Sequence, residues 1–172
     1  MGTTQVEVIV MVERKEYLSS LIQWKDEQVI KVVTGIRRCG KSTLLAQYQS
    51  WLLQNGVSEE QIVSINFEEL EYEDLLDYRK LYSYLKERLV PGKSTYIFLD
   101  EVQKVPNFEK AVDSIYVKPD TDIYITGSNS YLLSGELATL LTGRYVEIRM
   151  LPLSFREFLE ITKLTKQQGL AE

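Results

Sequence analysis

Gly35-Ile36-Arg37-Arg38-Cys39-Gly40-Lys41-Ser42 follows the apolar run Val29-Ile30-Lys31-Val32-Val33 after one intervening residue, and it constrains the fold more than any other feature. The spacing is that of a phosphate loop, G-x-x-x-x-G-K-[ST], with no gap. Several backbone N–H groups must converge on an anion, and glycines let the chain curl tightly enough to aim them. A helix has to start at the loop's end so that its open first turn faces the same phosphates. The sequence supplies one. Leu44, Leu45, Tyr48, Trp51 and Leu52 lie on one side from Lys41 onward, and Asn55-Gly56 is a natural stop. In this reading Lys41 carries the charge for β- and γ-phosphates, the Ser42 hydroxyl completes a magnesium shell, and Thr43 reaches the α-phosphate. The candidate nucleotide-binding residues are Gly35, Arg38, Cys39, Gly40, Lys41, Ser42 and Thr43.

Elsewhere short apolar runs alternate with longer helical patterns, which predicts an α/β fold with a mainly parallel sheet. Tyr17, Leu18, Leu21 and Ile22 mark an opening helix over roughly residues 14–25. After the loop helix come a strand at Ile62–Phe67, an acidic stretch from Glu68 to Asp77, and a helix bearing Leu81, Tyr82, Leu85 and Leu89. Pro91-Gly92 turns the chain into the apolar strand Tyr96-Ile97-Phe98-Leu99. A helix near residues 107–117 precedes a fourth strand, Ile123–Thr126, and the polar turn Gly127-Ser128-Asn129-Ser130. A helix through Leu137, Leu140 and Leu141 ends at Gly143-Arg144, and Tyr145–Ile148 is a fifth strand. Ser154 and Glu157 are spaced as a capping box for a last helix.

The third strand ends in Asp100-Glu101, at the carboxyl edge where parallel sheets gather ligands. Asp100 suits a magnesium ion held through water, and Glu101 suits polarising an attacking water. Taken alone, the pair is also what a solvated strand end looks like. Ser128 and Asn129 are uncharged hydrogen-bonding groups suited to a γ-phosphate or the lytic water, and equally to a plain polar turn. Arg144 stands at a helix end, where a cation also complements the helix dipole. Arg37 and Arg38 suit phosphate contact and solvated loop charge alike. Cys39 reads as a backbone contributor to the loop rather than a nucleophile.

Taken in order, the phosphate loop, Ile97-Phe98-Leu99-Asp100-Glu101, Ile125-Thr126-Gly127-Ser128-Asn129 and Gly143-Arg144 resemble the AAA-type ATPase superfamily. Thr34–Leu45, Ile125–Ser128, Leu141–Arg144 and Pro152-Leu153-Ser154-Phe155-Arg156-Glu157-Phe158 resemble, more narrowly, a prokaryotic ATP-binding family. In that family an AAA-like core precedes a C-terminal domain. The resemblance implies a three-layer fold with a five-stranded parallel sheet in the order 5-1-4-3-2. It also implies ATP and Mg2+ as ligands, Glu101 as catalytic base, Ser128 or Asn129 as γ-phosphate sensor, and Arg144 as a finger toward a neighbouring subunit of a homo-oligomer. Residues 1–12 are expected to be an extension and 13–172 the core, with the family's C-terminal lid and further domain lying beyond Glu172.

Composition narrows the chemistry. With no histidine and one cysteine, a His-based metal site, a Ser-His-Asp triad, a Cys-His dyad and an internal disulfide are all excluded within the sequence. A net charge of −5 gives no indication of a nucleic-acid partner. No run approaches the roughly 18 apolar residues of a membrane helix, and a cytoplasmic setting is the expectation. The expected activity is hydrolysis of ATP to ADP and phosphate. A nucleotide-gated interaction switch with little hydrolysis is the alternative. A small-molecule kinase is a third reading, but the Asp-Glu pair fits water activation better. No Asn-Lys-x-Asp guanine reader occurs in the sequence.

Overall fold

A computed structural model of the chain describes residues 14–128, 141, 143–152 and 157. Two compact units are present, Lys15–Pro152 and a smaller one formed by Met1–Arg14 with Leu153–Glu172. Within the smaller unit the Arg14 Nε donates to Glu157 Oε1 at 3.0 Å. Ser154, the other half of the expected capping box, lies outside the described residues.

The larger unit is built on five strands, β1 (Ile30–Gly35), β2 (Ile62–Asn66), β3 (Thr95–Asp100), β4 (Thr121–Ser128) and β5 (Tyr145–Met150). Their order across the sheet is β2-β3-β4-β1-β5, and every neighbouring pair is parallel. This is the expected 5-1-4-3-2 order. Among the described residues the α-helices are α1 (Lys15–Gln23), α2 (Lys41–Gln54), α3 (Tyr78–Glu87) and α4 (Phe108–Tyr116).

Strand side chains alternate between faces, and each face of this sheet has its own core. On one side Val32, Ile65, Ile97, Leu99, Ile123 and Ile125 pack with Leu81 and Leu85 of α3 and Val112 and Ile115 of α4. On the other, Val33, Phe98, Tyr124 and Ile148 pack with Leu18 and Leu21 of α1 and Leu44, Tyr48 and Leu52 of α2. Sheet strands buried on both faces read as continuous apolar runs, which is how β1 and β3 were visible in the sequence.

Two segments differ from expectation. The acidic stretch after β2 contains a 3-10 helix, Leu70–Leu76, and Asp77 then caps α3 by accepting from the Arg79 and Lys80 N–H groups at 2.8 and 3.0 Å. β4 also runs two residues further than its apolar run, because Gly127 pairs with Thr34 and Ser128 with Gly35. Of the helix expected through Leu137, Leu140 and Leu141, only Leu141 is described, fully buried in the α3/α4 core.

An ion pair is buried beneath α2. Lys31 Nζ donates to Asp122 Oδ1 at 2.6 Å and to the Glu27 carbonyl at 2.8 Å. Asp122 also accepts from the Tyr124 hydroxyl and the Asp26 N–H, while Tyr124 shares a 2.9 Å hydrogen bond with the Tyr48 hydroxyl. Burial pushes the Lys31 amine below and the Asp122 carboxyl above their ordinary values, and each partner's charge opposes that shift in the other. Removing one partner strands the other. Asp122→Ala is therefore expected to cost about 3–5 kcal/mol of unfolding free energy. Chemical denaturation measures it, and a loss under about 1 kcal/mol would mean that the pair is energetically neutral.

Candidate active site

The loop between β1 and α2 is held by two glycines with different tasks. A Cβ on Gly35 would stand 2.5 Å from Cys39 Sγ and 2.9 Å from the Met150 carbonyl oxygen, so only glycine fits. Gly40 has φ +93°, the left-handed region, and two residues earlier Arg38 has φ 65°. Left-handed residues at alternate positions turn successive N–H groups toward one side, which makes an anion cradle. The first bond of α2 runs from Leu44 N–H to Gly40 O at 2.9 Å, leaving the N–H groups of Lys41, Ser42 and Thr43 as its open first turn. Ser42, Thr43, Arg37 and Arg38 are exposed. Cys39 faces the other way, into the apolar cluster with Leu44, Leu45 and Met150, so its side chain packs while its backbone shapes the loop.

Lys41 is folded back over this loop. Its Nζ lies 3.4 Å from the Gly35 carbonyl, 3.3 Å from the Ile36 carbonyl and 3.7 Å from Glu101 Oε1. That contact joins the loop to the ends of β3 and β4. Asp100, the last residue of β3, is buried and accepts a hydrogen bond from the Thr126 hydroxyl. The same hydroxyl oxygen accepts from the Glu101 N–H at 3.0 Å. Glu101 has left the strand with φ 54°, an uncommon conformation for glutamate that turns its carboxylate toward Lys41.

Lys41, Asp100 and Glu101 are thus gathered at one sheet edge beside the loop. The backbone of Ser128 joins them there by pairing with Gly35; its side chain and all of Asn129 lie outside what is described. Arg144 does not. It precedes β5, whose first residue pairs with Ile30, so it sits at the opposite edge, roughly 17 Å from Gly35 along the strand. There its Nη1 donates to Asp113 of α4, and its guanidinium lies 5.6 Å from the Tyr116 ring centre.

Thr126 is the residue that reasoning along the chain passed over. It is fully buried and fixes both acidic residues at once, Asp100 through the side chain and Glu101 through the backbone. A signal existed: Thr126 shares the face of Asp122 and Tyr124, and parallel pairing of Leu99 with Ile125 sets it next to Asp100.

The residues fit a magnesium-bound nucleotide. Ser42 at the head of α2 and Asp100 at the end of β3 offer a partial set of hard oxygen donors. Magnesium suits such a partial set, because it keeps waters and takes its remaining ligands from substrate phosphates. Among the described residues, no helix is long and apolar enough to cross a membrane.

The chain matches the AAA domain family over residues 27–159. An uncharacterized protein of Haemophilus influenzae is 46% identical over 163 residues, covering 94% of this chain and 41% of that protein. Uncharacterized protein MJ1544 of Methanocaldococcus jannaschii is 39% identical over 132 residues, 76% of this chain and 28% of that protein. The chain therefore spans about two fifths or less of the length of these relatives. Among solved structures, a DNA polymerase III gamma subunit-related protein of Thermotoga maritima superposes with TM-score 0.59 at 11% identity, over 90% of this chain and 56% of that one. Hsp104, solved in a closed state with ATPγS and casein, gives TM-score 0.59 at 16% identity over 92% of this chain and 29% of its own. At these identities the likeness is one of fold.

Proposed function

The chain belongs to the AAA domain family, and from that premise we propose that it is an ATPase core hydrolysing ATP to ADP and phosphate. The observation that carries the reading is the meeting of Lys41 Nζ with the Gly35 and Ile36 carbonyls and with Glu101 Oε1, 3.3–3.7 Å away. A phosphate-binding lysine and an acidic strand end occupy one site.

In this reading the loop N–H groups, shaped by Gly35, Arg38, Cys39 and Gly40, cradle the phosphates, and Lys41 moves from the loop carbonyls to the β- and γ-phosphates. Thr43 takes the α-phosphate. Ser42 would hold magnesium, and Asp100, kept in place by Thr126, would hold it through water. When bound, the ion neutralises charge on the phosphate oxygens. Glu101 accepts a proton from water as the water oxygen bonds to the γ-phosphorus and the bond to the β-phosphate oxygen breaks. Ser128 and Asn129 contact the γ-phosphate or the water. ATP rather than GTP is the reading that membership of the AAA domain family supports.

Glu101→Gln keeps size and hydrogen bonding but cannot take the proton. Nucleotide is expected to bind as before while steady-state turnover falls by about 10²-fold or more. Unchanged turnover would leave Glu101 a strand-end charge with the base elsewhere. A wild-type protein that binds Mg-ATP without turning it over would instead support the nucleotide-gated switch.

A further inference from the structure

Three residues past the end of β3, Gln103 lies in a 3-10 turn, Val102–Lys104, whose flanking Val102 and Val105 are fully buried. The turn closes through Lys104 N–H to Glu101 O at 3.1 Å and Val105 N–H to Val102 O at 3.0 Å. Anchored on both sides, it directs the Gln103 side chain back to Glu101, where Nε2 donates to Oε2. The other carboxylate oxygen, Oε1, faces Lys41. The sense of the amide follows from chemistry: only its NH2 end donates to a carboxylate. Among the described residues its carbonyl oxygen, Oε1, is then buried with no hydrogen-bond partner. Buried amide oxygens are rarely left so, and one beside a reaction centre needs an explanation.

We propose that Gln103 is the positioning residue of Glu101, holding one carboxylate oxygen in place while the other exchanges Lys41 for water. The inference rests on the reading of Glu101 as base. Without nucleotide, each carboxylate oxygen of Glu101 has a side-chain anchor, Gln103 on Oε2 and Lys41 on Oε1. Phosphate draws Lys41 away, and among the described residues Gln103 is the side-chain anchor that remains. The oxygen that faced Lys41 is then free to accept the water's proton. If Gln103 is replaced, the carboxylate can swing when Lys41 leaves, and misplacement of about 1 Å is enough to cost on the order of 10²-fold in rate.

The test uses the intact protein with Gln103→Met, near-isosteric but without the amide, and Gln103→Glu, isosteric but without the donor. Both are expected to bind Mg-ATP with wild-type affinity and KM while kcat falls about 10-fold or more. In a Glu101→Gln background Gln103→Met should change kcat by less than about 2-fold, since the group it positions is already disabled. A second readout needs no turnover. In nucleotide-free protein the 15N-labelled Gln103 side-chain amide should exchange with solvent more slowly than that of exposed Gln54, and Glu101→Ala should erase the difference. If Gln103→Met turns over like wild type while Glu101→Gln is inactive, the positioning role is wrong and the ATPase reading stands. If Glu101→Gln turns over normally, Glu101 is not the base and the positioning role falls with it, while hydrolysis itself stands. An unprotected Gln103 amide overturns the positioning role whatever the kinetics.

Discussion

Lys41→Ala is expected to weaken Mg-ATP binding by about 10²–10⁴-fold, beyond the range of an ordinary equilibrium titration. A hydrogen bond to a charged group contributes about 1.5–3 kcal/mol, and a lysine bridging two phosphates makes at least two such bonds. The nucleotide-free contacts of Lys41 compete weakly against that gain. They run from 3.3 to 3.7 Å, longer than the roughly 2.7–3.2 Å of a well-formed N–H···O bond, so releasing the ammonium costs little. The substitution also leaves Glu101 tied through Gln103 and Thr126, so the sheet edge should keep its shape. Thermal unfolding of the variant checks that. A folded Lys41→Ala protein that binds Mg-ATP like wild type would remove the phosphate loop assignment and every role built on it.

What could be read from the chain alone follows from how local each feature is. The phosphate loop is eight consecutive residues between an apolar run and a helical stripe, so its place at the end of β1 was legible. Asp100 was legible too, because it ends a run buried on both faces. The sheet order was not contained in the periodicity; it came with the family resemblance. Thr126 and Gln103 escaped for different reasons. Thr126 matters only through its register against β3, a relation between strands 26 residues apart in its contact with Asp100. Gln103 matters because a 3-10 turn folds it back, and short turns of this kind leave no period in a sequence. Lys31 is a cation within an apolar run. Its partner Asp122 is 91 residues away, and only the pairing of β1 with β4 brings the two together.

Arg144→Ala separates two roles that differ in size. As a local ion pair with Asp113, both side chains a little over two fifths exposed, Arg144 would contribute at most about 1 kcal/mol. As a finger reaching a neighbour's γ-phosphate it would supply transition-state charge, which can be about 10³-fold or more in rate. Its position rules out help to its own phosphate loop, since the guanidinium is held at the opposite edge of the sheet by α4. We propose the finger role, acting between copies of the intact protein. Arg144→Ala is then expected to fold, bind ATP and lose turnover by about 10³-fold, whereas Asp113→Ala, which removes only the local partner, should keep turnover within a few-fold of wild type. Mixing Arg144→Ala with Lys41→Ala should restore part of the activity, because a mixed interface can pair an intact loop with an intact arginine. If mixed oligomers form and no activity returns, or if Asp113→Ala loses as much turnover as Arg144→Ala, the arginine serves its own subunit's helix and no neighbour.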